Sequence, residues 1–144
     1  MKRKKTEPHQ NRFEIKEPEK STQINKADLH DEDNYPLFCF KYLSDRSFNK
    51  CRDHQFFIKY LKRLQSLSSL GWAKIRESDK HSFGMEKIPI REIKPNCPIC
   101  VTPDVTHLHA FRAIGDNRPF LGLQNGRVFQ VFFIETHFGD IYDH

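Results

Sequence analysis

The sequence predicts an α+β domain: an N-terminal strand, then a helical hairpin packed on a C-terminal antiparallel β-meander. Three observations carry this. Apolar residues recur at helical spacing between residues 53 and 79, the apolar pattern shifts to strand period after residue 106, and Asn125-Gly126 separates two apolar runs as a hairpin turn would.

The chain has 144 residues, 37% hydrophobic and 30% charged, which is room for one core. Residues 1–34 hold eight Lys/Arg and eight Asp/Glu around scattered Phe13, Ile15, Ile24 and Leu29. So little apolar surface cannot offset ~1–2 kcal/mol of backbone ordering entropy per residue, so a disordered charged tail is expected, with one domain over 35–144. The net charge of +5 is then concentrated in residues 35–94, where thirteen Lys/Arg face six acids; residues 95–144 hold three against five.

Within the domain, Phe38, Phe40 and Tyr42 alternate along a strand over 36–43. Asp53 can cap a helix running to about residue 67, whose stripe is Phe56, Phe57, Tyr60, Leu61, Leu64 and Leu67 and whose other face shows Lys59, Lys62 and Arg63. Ser68 or Ser69 can cap a shorter helix holding Leu70, Trp72, Ala73 and Ile75. The basic segment over 80–94 reads first as a helix-to-sheet connection with an edge strand at 86–91; the alternative is a loop that meets a phosphate backbone, with His81 and Lys87 as contacts and Phe83 to stack on a base.

His107 to Ile114 reads as a strand ending at Gly115-Asp116-Asn117. A two-residue turn at Asn125-Gly126 pairs Gln124 with Arg127, so Arg118, Phe120, Phe129, Val131 and Phe133 share one face and Leu121, Leu123, Val128, Phe132 and Ile134 the other. Both faces are apolar near the centre, so helices should cover one. Ile141 and Tyr142, after Gly139, form a short last strand or simply the end.

The longest apolar run, Val131 to Ile134, is far short of the roughly 20 residues of a bilayer span, so no membrane partner is expected. Met1-Lys2-Arg3-Lys4-Lys5 is followed by polar residues instead of an apolar signal core, which points to a cytoplasmic protein. Four cysteines are too few for a disulfide scaffold. Cys97-Pro98-Ile99-Cys100 followed by His107 and His109 makes a structural zinc site geometrically possible; a redox pair or two ordinary loop thiols are the alternatives, and otherwise no cofactor is implied.

The two helices from Asp53 through Trp72, followed by Phe111-Arg112-Ala113, the run Val128 to His137 and Tyr142, resemble the RelE/ParE superfamily of bacterial toxins over residues 36–144. In that family one branch cleaves mRNA on the ribosome without metal and another attacks gyrase. The long tail and the insert at 95–103 depart from it. The resemblance implies RNA or the ribosome as a partner, and an antitoxin protein. Cleavage by 2′-hydroxyl attack needs a base, cations for the phosphoryl oxygens and an acid. Arg112, Arg118 and Arg127 are the candidate phosphate holders, and His137 or Tyr142 the proton carriers, with His81 and His144 also available. All are expected to face one pocket. The alternative is a non-catalytic nucleic-acid- or protein-binding module, zinc-stapled or not, using Lys59, Lys62 and Arg63.

Overall fold

The computed structural model describes residues 34–49 and 51–144; the expectation of a charged tail lies outside them. The architecture is α+β: β1 (Leu37–Cys39), α1 (His54–Leu70), α2 (Trp72–Glu77), β2 (Glu86–Pro89), β3 (His107–Arg112), β4 (Pro119–Asn125) and β5 (Val128–Ile134). The sheet runs β1-β5-β4-β3-β2, with β2 to β5 an antiparallel meander and β1 added parallel to β5. Among the described residues no helix is long and apolar enough to cross a membrane.

The Asp53 carboxylate accepts from the Gln55 amide at 3.0 Å and caps α1 as its spacing predicts. The helix outruns the expected end at residue 67 and takes in Ser68 and Ser69, the Ser69 hydroxyl donating back to the Gln65 carbonyl instead of capping a second helix. Gly71, at φ +88°, makes the break. Trp72 then opens α2, its indole N–H donating to the Arg127 carbonyl at 3.1 Å.

The sheet has two dissimilar faces. Under the helices, Phe56, Tyr60, Leu64, Leu67, Trp72 and Ile75 meet Phe111, Ala113, Phe120, Phe129, Val131 and Ile134. Phe111, Phe120 and Phe129 lie 5.0–5.9 Å apart by ring centroid, and Phe38 joins them from β1. At about 1.5–3 kcal/mol for each fully buried large apolar side chain, this cluster is the main anchor of the fold. On the far face Ile88, Leu108, Ala110, Leu121, Phe132 and Phe133 are covered by Ile93, Ile141 and Tyr142, with Tyr42, Cys97 and Val101 at the margin. Among the described residues no α-helix covers this side. It is closed by the chain after β2 and by the C-terminal segment, joined through the Ile93–Tyr142 bridge and the Lys94 N–H bond to the Ile141 carbonyl at 2.7 Å.

Three local expectations are corrected. The strand expected over 36–43 stops at Cys39, because the chain turns at Phe40 and sends Tyr42 to the far face, leaving Phe40 exposed. The β4–β5 turn is Gly126-Arg127, with Asn125 opposite Val128; Gly126 at φ +61° takes the first central position, as a II′-type turn requires. Phe133 and Ile134 exchange the faces expected of them, because the register slips between Leu121 and Gly122 and leaves Phe132 as the extra residue of a bulge. The bulge brings the Gln130 carbonyl so close to Gly122 that a Cβ there would overlap it.

Candidate functional site

The group of side chains best suited to chemistry lines a cleft of about 240 Å³ at the end of the sheet where β3 finishes and β4 begins. Arg112 closes β3, and period-two alternation from Leu108 and Ala110 turns it toward the face the helices do not cover. Its guanidinium is held on three sides: Nε donates to the Lys80 carbonyl (3.2 Å), Nη1 to Asn117 Oδ1 (2.9 Å) and Nη2 to His81 Nδ1 (2.5 Å). Five N–H groups less these three leave two to meet a ligand, in a fixed orientation. Because Arg112 can only donate, His81 Nδ1 accepts and the neutral imidazole carries its proton on Nε2.

His81 is held by a closed loop. Asp79 accepts from the His81 amide through its side chain and from the Ser82 and Gly84 amides through its carbonyl, and Ser78 Oγ accepts from the Phe83 amide. Arg63 braces the loop from α1, donating to the Ser82 carbonyl and stacking 4.2 Å above the Phe83 ring. Partial burial and the neighbouring Arg112 hold the Arg63 pKa below the ordinary guanidinium value.

The opposite wall comes from the C-terminal segment. Glu135 continues β5 past Ile134 as a fully buried carboxylate, 0% exposed. Its Oε2 accepts from the Ile141 amide at 3.1 Å and its Oε1 lies 2.5 Å from His144 Nε2. The imidazole, its side chain 15% exposed, is sandwiched between Phe138 and Tyr142, each 4.2 Å away by centroid. A buried carboxylate on Nε2 fixes the tautomer and leaves Nδ1 for proton exchange. Burial, then the charges of Glu86 and Glu135, push the Tyr142 phenol up to about 12 against a smaller downward pull from Arg112, so it holds its proton at neutral pH. Lys80 and Glu86, paired at 3.5 Å, complete the rim.

The single pocket expected for three arginines and the terminal imidazole and phenol does not form, and strand alternation is the reason. Arg112 lies opposite Pro119, so Arg118 falls opposite Ala113 and points toward the helices. There it stacks 4.8 Å above the Phe56 ring, pairs with Asp116 at 2.9 Å and donates to the Thr136 carbonyl. It lines a separate, wider hollow of about 610 Å³ at the start of α1, together with His137. Arg127 sits in the β4–β5 turn, seven residues or roughly 23 Å of strand from the Arg112 cleft, and its carbonyl accepts from the Leu37 main-chain N–H and the Trp72 indole N–H. Of the expected catalytic set, only Arg112 and Tyr142 meet, joined by His81 and His144.

The residues expected to bind nucleic acid divide similarly. Lys59 and Lys62 are exposed on the outer side of α1, Lys87 is exposed on β2 opposite His109, and only Arg63 and His81 serve the cleft. Phe83 packs against the helix-face core under Arg63, which disfavours the alternative in which it stacks on a base.

Cys97 and Cys100 lie close enough for the second to raise the thiol pKa of the first, after burial. His107 Nδ1 pairs with Thr106 Oγ1 at 2.8 Å; burial, Lys87 and His107 lower the His109 pKa. Among the described residues no three His, Cys, Asp or Glu side chains gather as a set able to hold a metal ion, so the Cys97, Cys100, His107 and His109 quartet does not converge. Glu135 is not among the candidate residues that the sequence singles out. The signal was its position: a carboxylate directly after a buried apolar run, one residue past the end of β5. Comparison with family models, with curated proteins and with solved structures finds no match for this chain.

Proposed function

We propose that the Arg112 cleft binds a phosphodiester and cleaves RNA by attack of the adjacent 2′-hydroxyl, in the manner of the mRNA-cleaving branch of the RelE/ParE superfamily. One observation carries the reading: Arg112, His81, Tyr142 and His144 line a single cleft of about 240 Å³, with His144 backed by the buried Glu135 carboxylate. Each task of the reaction has a group suited to it. The two uncommitted N–H groups of Arg112 face charge accumulating on the phosphoryl oxygens, in a position that needs no reorganisation. His144 Nδ1 takes the 2′-hydroxyl proton, and Glu135 stabilises the imidazolium that results. The Tyr142 phenol, still protonated at neutral pH, or His81 Nε2–H, protonates the departing 5′-oxygen. The test is cleavage of a single-stranded RNA, with and without ribosomes, by the whole chain. Wild-type cleavage falls at least about 100-fold in Arg112→Ala and His144→Ala, the usual size of a lost electrostatic or acid–base contribution, and persists in Arg118→Ala. Folded wild-type protein without cleavage ends this reading.

A second reading, a non-catalytic binding module, is favoured by the outer side of α1. There Ile58 and Leu61, 49% and 68% exposed, lie beside exposed Lys59 and Lys62, a mixed apolar and basic surface that fits an acidic protein such as an antitoxin. Charge reversal at Lys59 and Lys62 abolishes partner binding under this reading and leaves RNA cleavage untouched under the first.

A further inference from the structure

We propose that a further hollow, of about 230 Å³ and bounded by Tyr42, Cys100, Leu123, Gln124, Asn125, Gln130 and Phe132, is a subsite for one unpaired nucleobase; the inference rests on the RNA reading and extends it. Its volume is below the ~300–1,000 Å³ of sites for drug-sized ligands and suits a single heterocycle. The Gln130 side-chain oxygen is buried at this hollow and has no hydrogen-bond partner among the described residues. A buried acceptor without a partner is costly, and any nucleobase brings an N–H group that satisfies it.

The other walls point the same way. Tyr42, partly exposed, supplies aromatic surface against which the π-face of a base packs whatever its identity, over a floor that includes the buried Phe132. Gln124 is pinned by its own bond to the Gly126 carbonyl at 2.9 Å, so that wall is preset. Among the described residues none lining the hollow is an Asp, Glu, Lys, Arg or His, which disfavours a phosphate or a charged amino acid and favours a neutral planar group. Lys41, 5.2 Å from the Tyr42 ring centroid, supplies a cation just outside for the backbone of the same nucleotide.

The position agrees with the proposed chemistry. The hollow and the Arg112 cleft both border the apolar cluster on the helix-free face. Pro119 of the cleft and Leu123 of the hollow are four residues apart along β4, roughly 13 Å, a distance that a few nucleotides of one strand cover. The cationic cleft takes the phosphate and the neutral hollow takes a base further along, so cleavage acquires a preference for the base at that position.

Titration of the full, isotope-labelled chain with adenosine, cytidine, guanosine and uridine, which have no phosphate, tests the subsite by NMR. The expected result is shifts at the Gln130 side-chain amide and at residues 123–125, with affinity weakened about fivefold in Gln130→Leu and roughly tenfold in Tyr42→Ala. Absence of shifts at millimolar nucleoside overturns the proposal, as does a folded Gln130→Leu that binds like wild type, or shifts confined to the Arg112 cleft. Nucleoside binding by a protein that does not cleave RNA keeps the subsite and removes the nuclease. Cleavage without nucleoside binding does the reverse.

Discussion

The two faces of the sheet are made by the same strands, yet they are closed differently. Under α1 and α2 the sheet meets a wall of rings and aliphatic chains, with Arg118 lying over Phe56 at its edge. The other face is closed by irregular chain, which brings Glu135, Tyr142 and His144 against Arg112 and leaves the Gln130 oxygen unpaired beside a hollow. A helix bonds its own backbone and needs only an apolar stripe to pack. Irregular segments must find partners for their backbone groups, as Glu135 does for the Ile141 amide, and this brings polar side chains into the layer. Stability should therefore reside on the helix face and ligand chemistry on the other.

The sharpest test of that division is Phe120→Ala. Phe120 is fully buried and in ring contact with Tyr60, Phe111, Phe129 and Phe38, so its removal should cost about 3–5 kcal/mol in denaturant unfolding. Arg112→Ala, at the cleft, should cost less than about 1 kcal/mol, since its bonds are made at a half-exposed side chain. Comparable losses for the two would break the comparison.

Glu135→Ala probes where the division is least clean, because this residue belongs to the helix-free face and is nonetheless fully buried. The substitution strands the Ile141 amide and the His144 imidazole, at a cost of about 2–4 kcal/mol. Glu135→Gln keeps the shape and an acceptor and should lose less. A near-neutral Glu135→Ala would show that the C-terminal segment is not held by this carboxylate.

Arg118→Ala comes next, at about 1–2 kcal/mol. It removes the ring contact with Phe56 and the bond to the Thr136 carbonyl, while the Asp116 pair, partly exposed, adds little. Arg118→Lys should recover only part, since an ammonium lacks the planar fork. Thermal unfolding checks both, and RNA cleavage unaffected by either separates Arg118 from Arg112.

How much of this was legible in the sequence follows from the range of each interaction. The α1 stripe, its Asp53 cap and the meander are written in neighbouring residues, so class and element order could be read directly. The parallel pairing of β1 with β5 joins residues some ninety positions apart, and no local pattern marks it. The face taken by Phe133 and Ile134 depends on one bulge, which is set by backbone approach at Gly122 and not by hydropathy. Among site residues, Arg112 and Tyr142 stood out as chemically able. That Arg118 and Arg112 diverge was implicit in alternation once the Arg112–Pro119 register is known, and that register rests on the turn between them. The Glu135–His144 pair needs the chain to fold back at Gly139, whose φ of +82° permits the reversal but does not announce its destination.

The smallest effect lies inside the helix-face core and has the opposite sign. The Tyr60 hydroxyl is buried among rings with no hydrogen-bond partner among the described residues, so Tyr60→Phe removes a group that is desolvated without return. Stability at neutral pH should rise by up to about 1 kcal/mol, provided the ring contact with Phe120 at 5.1 Å is kept. Alkaline pH should enlarge the difference. Burial raises the Tyr60 pKa, so above the ordinary value near 10 the unfolded chain releases this proton while the folded one retains it, and wild-type stability falls as pH rises. Tyr60→Phe lacks that contribution and should lose less stability between pH 9 and 11. A Tyr60→Phe protein that is less stable than wild type would mean that the hydroxyl has a partner, and that the helix face is not the purely apolar layer contrasted above.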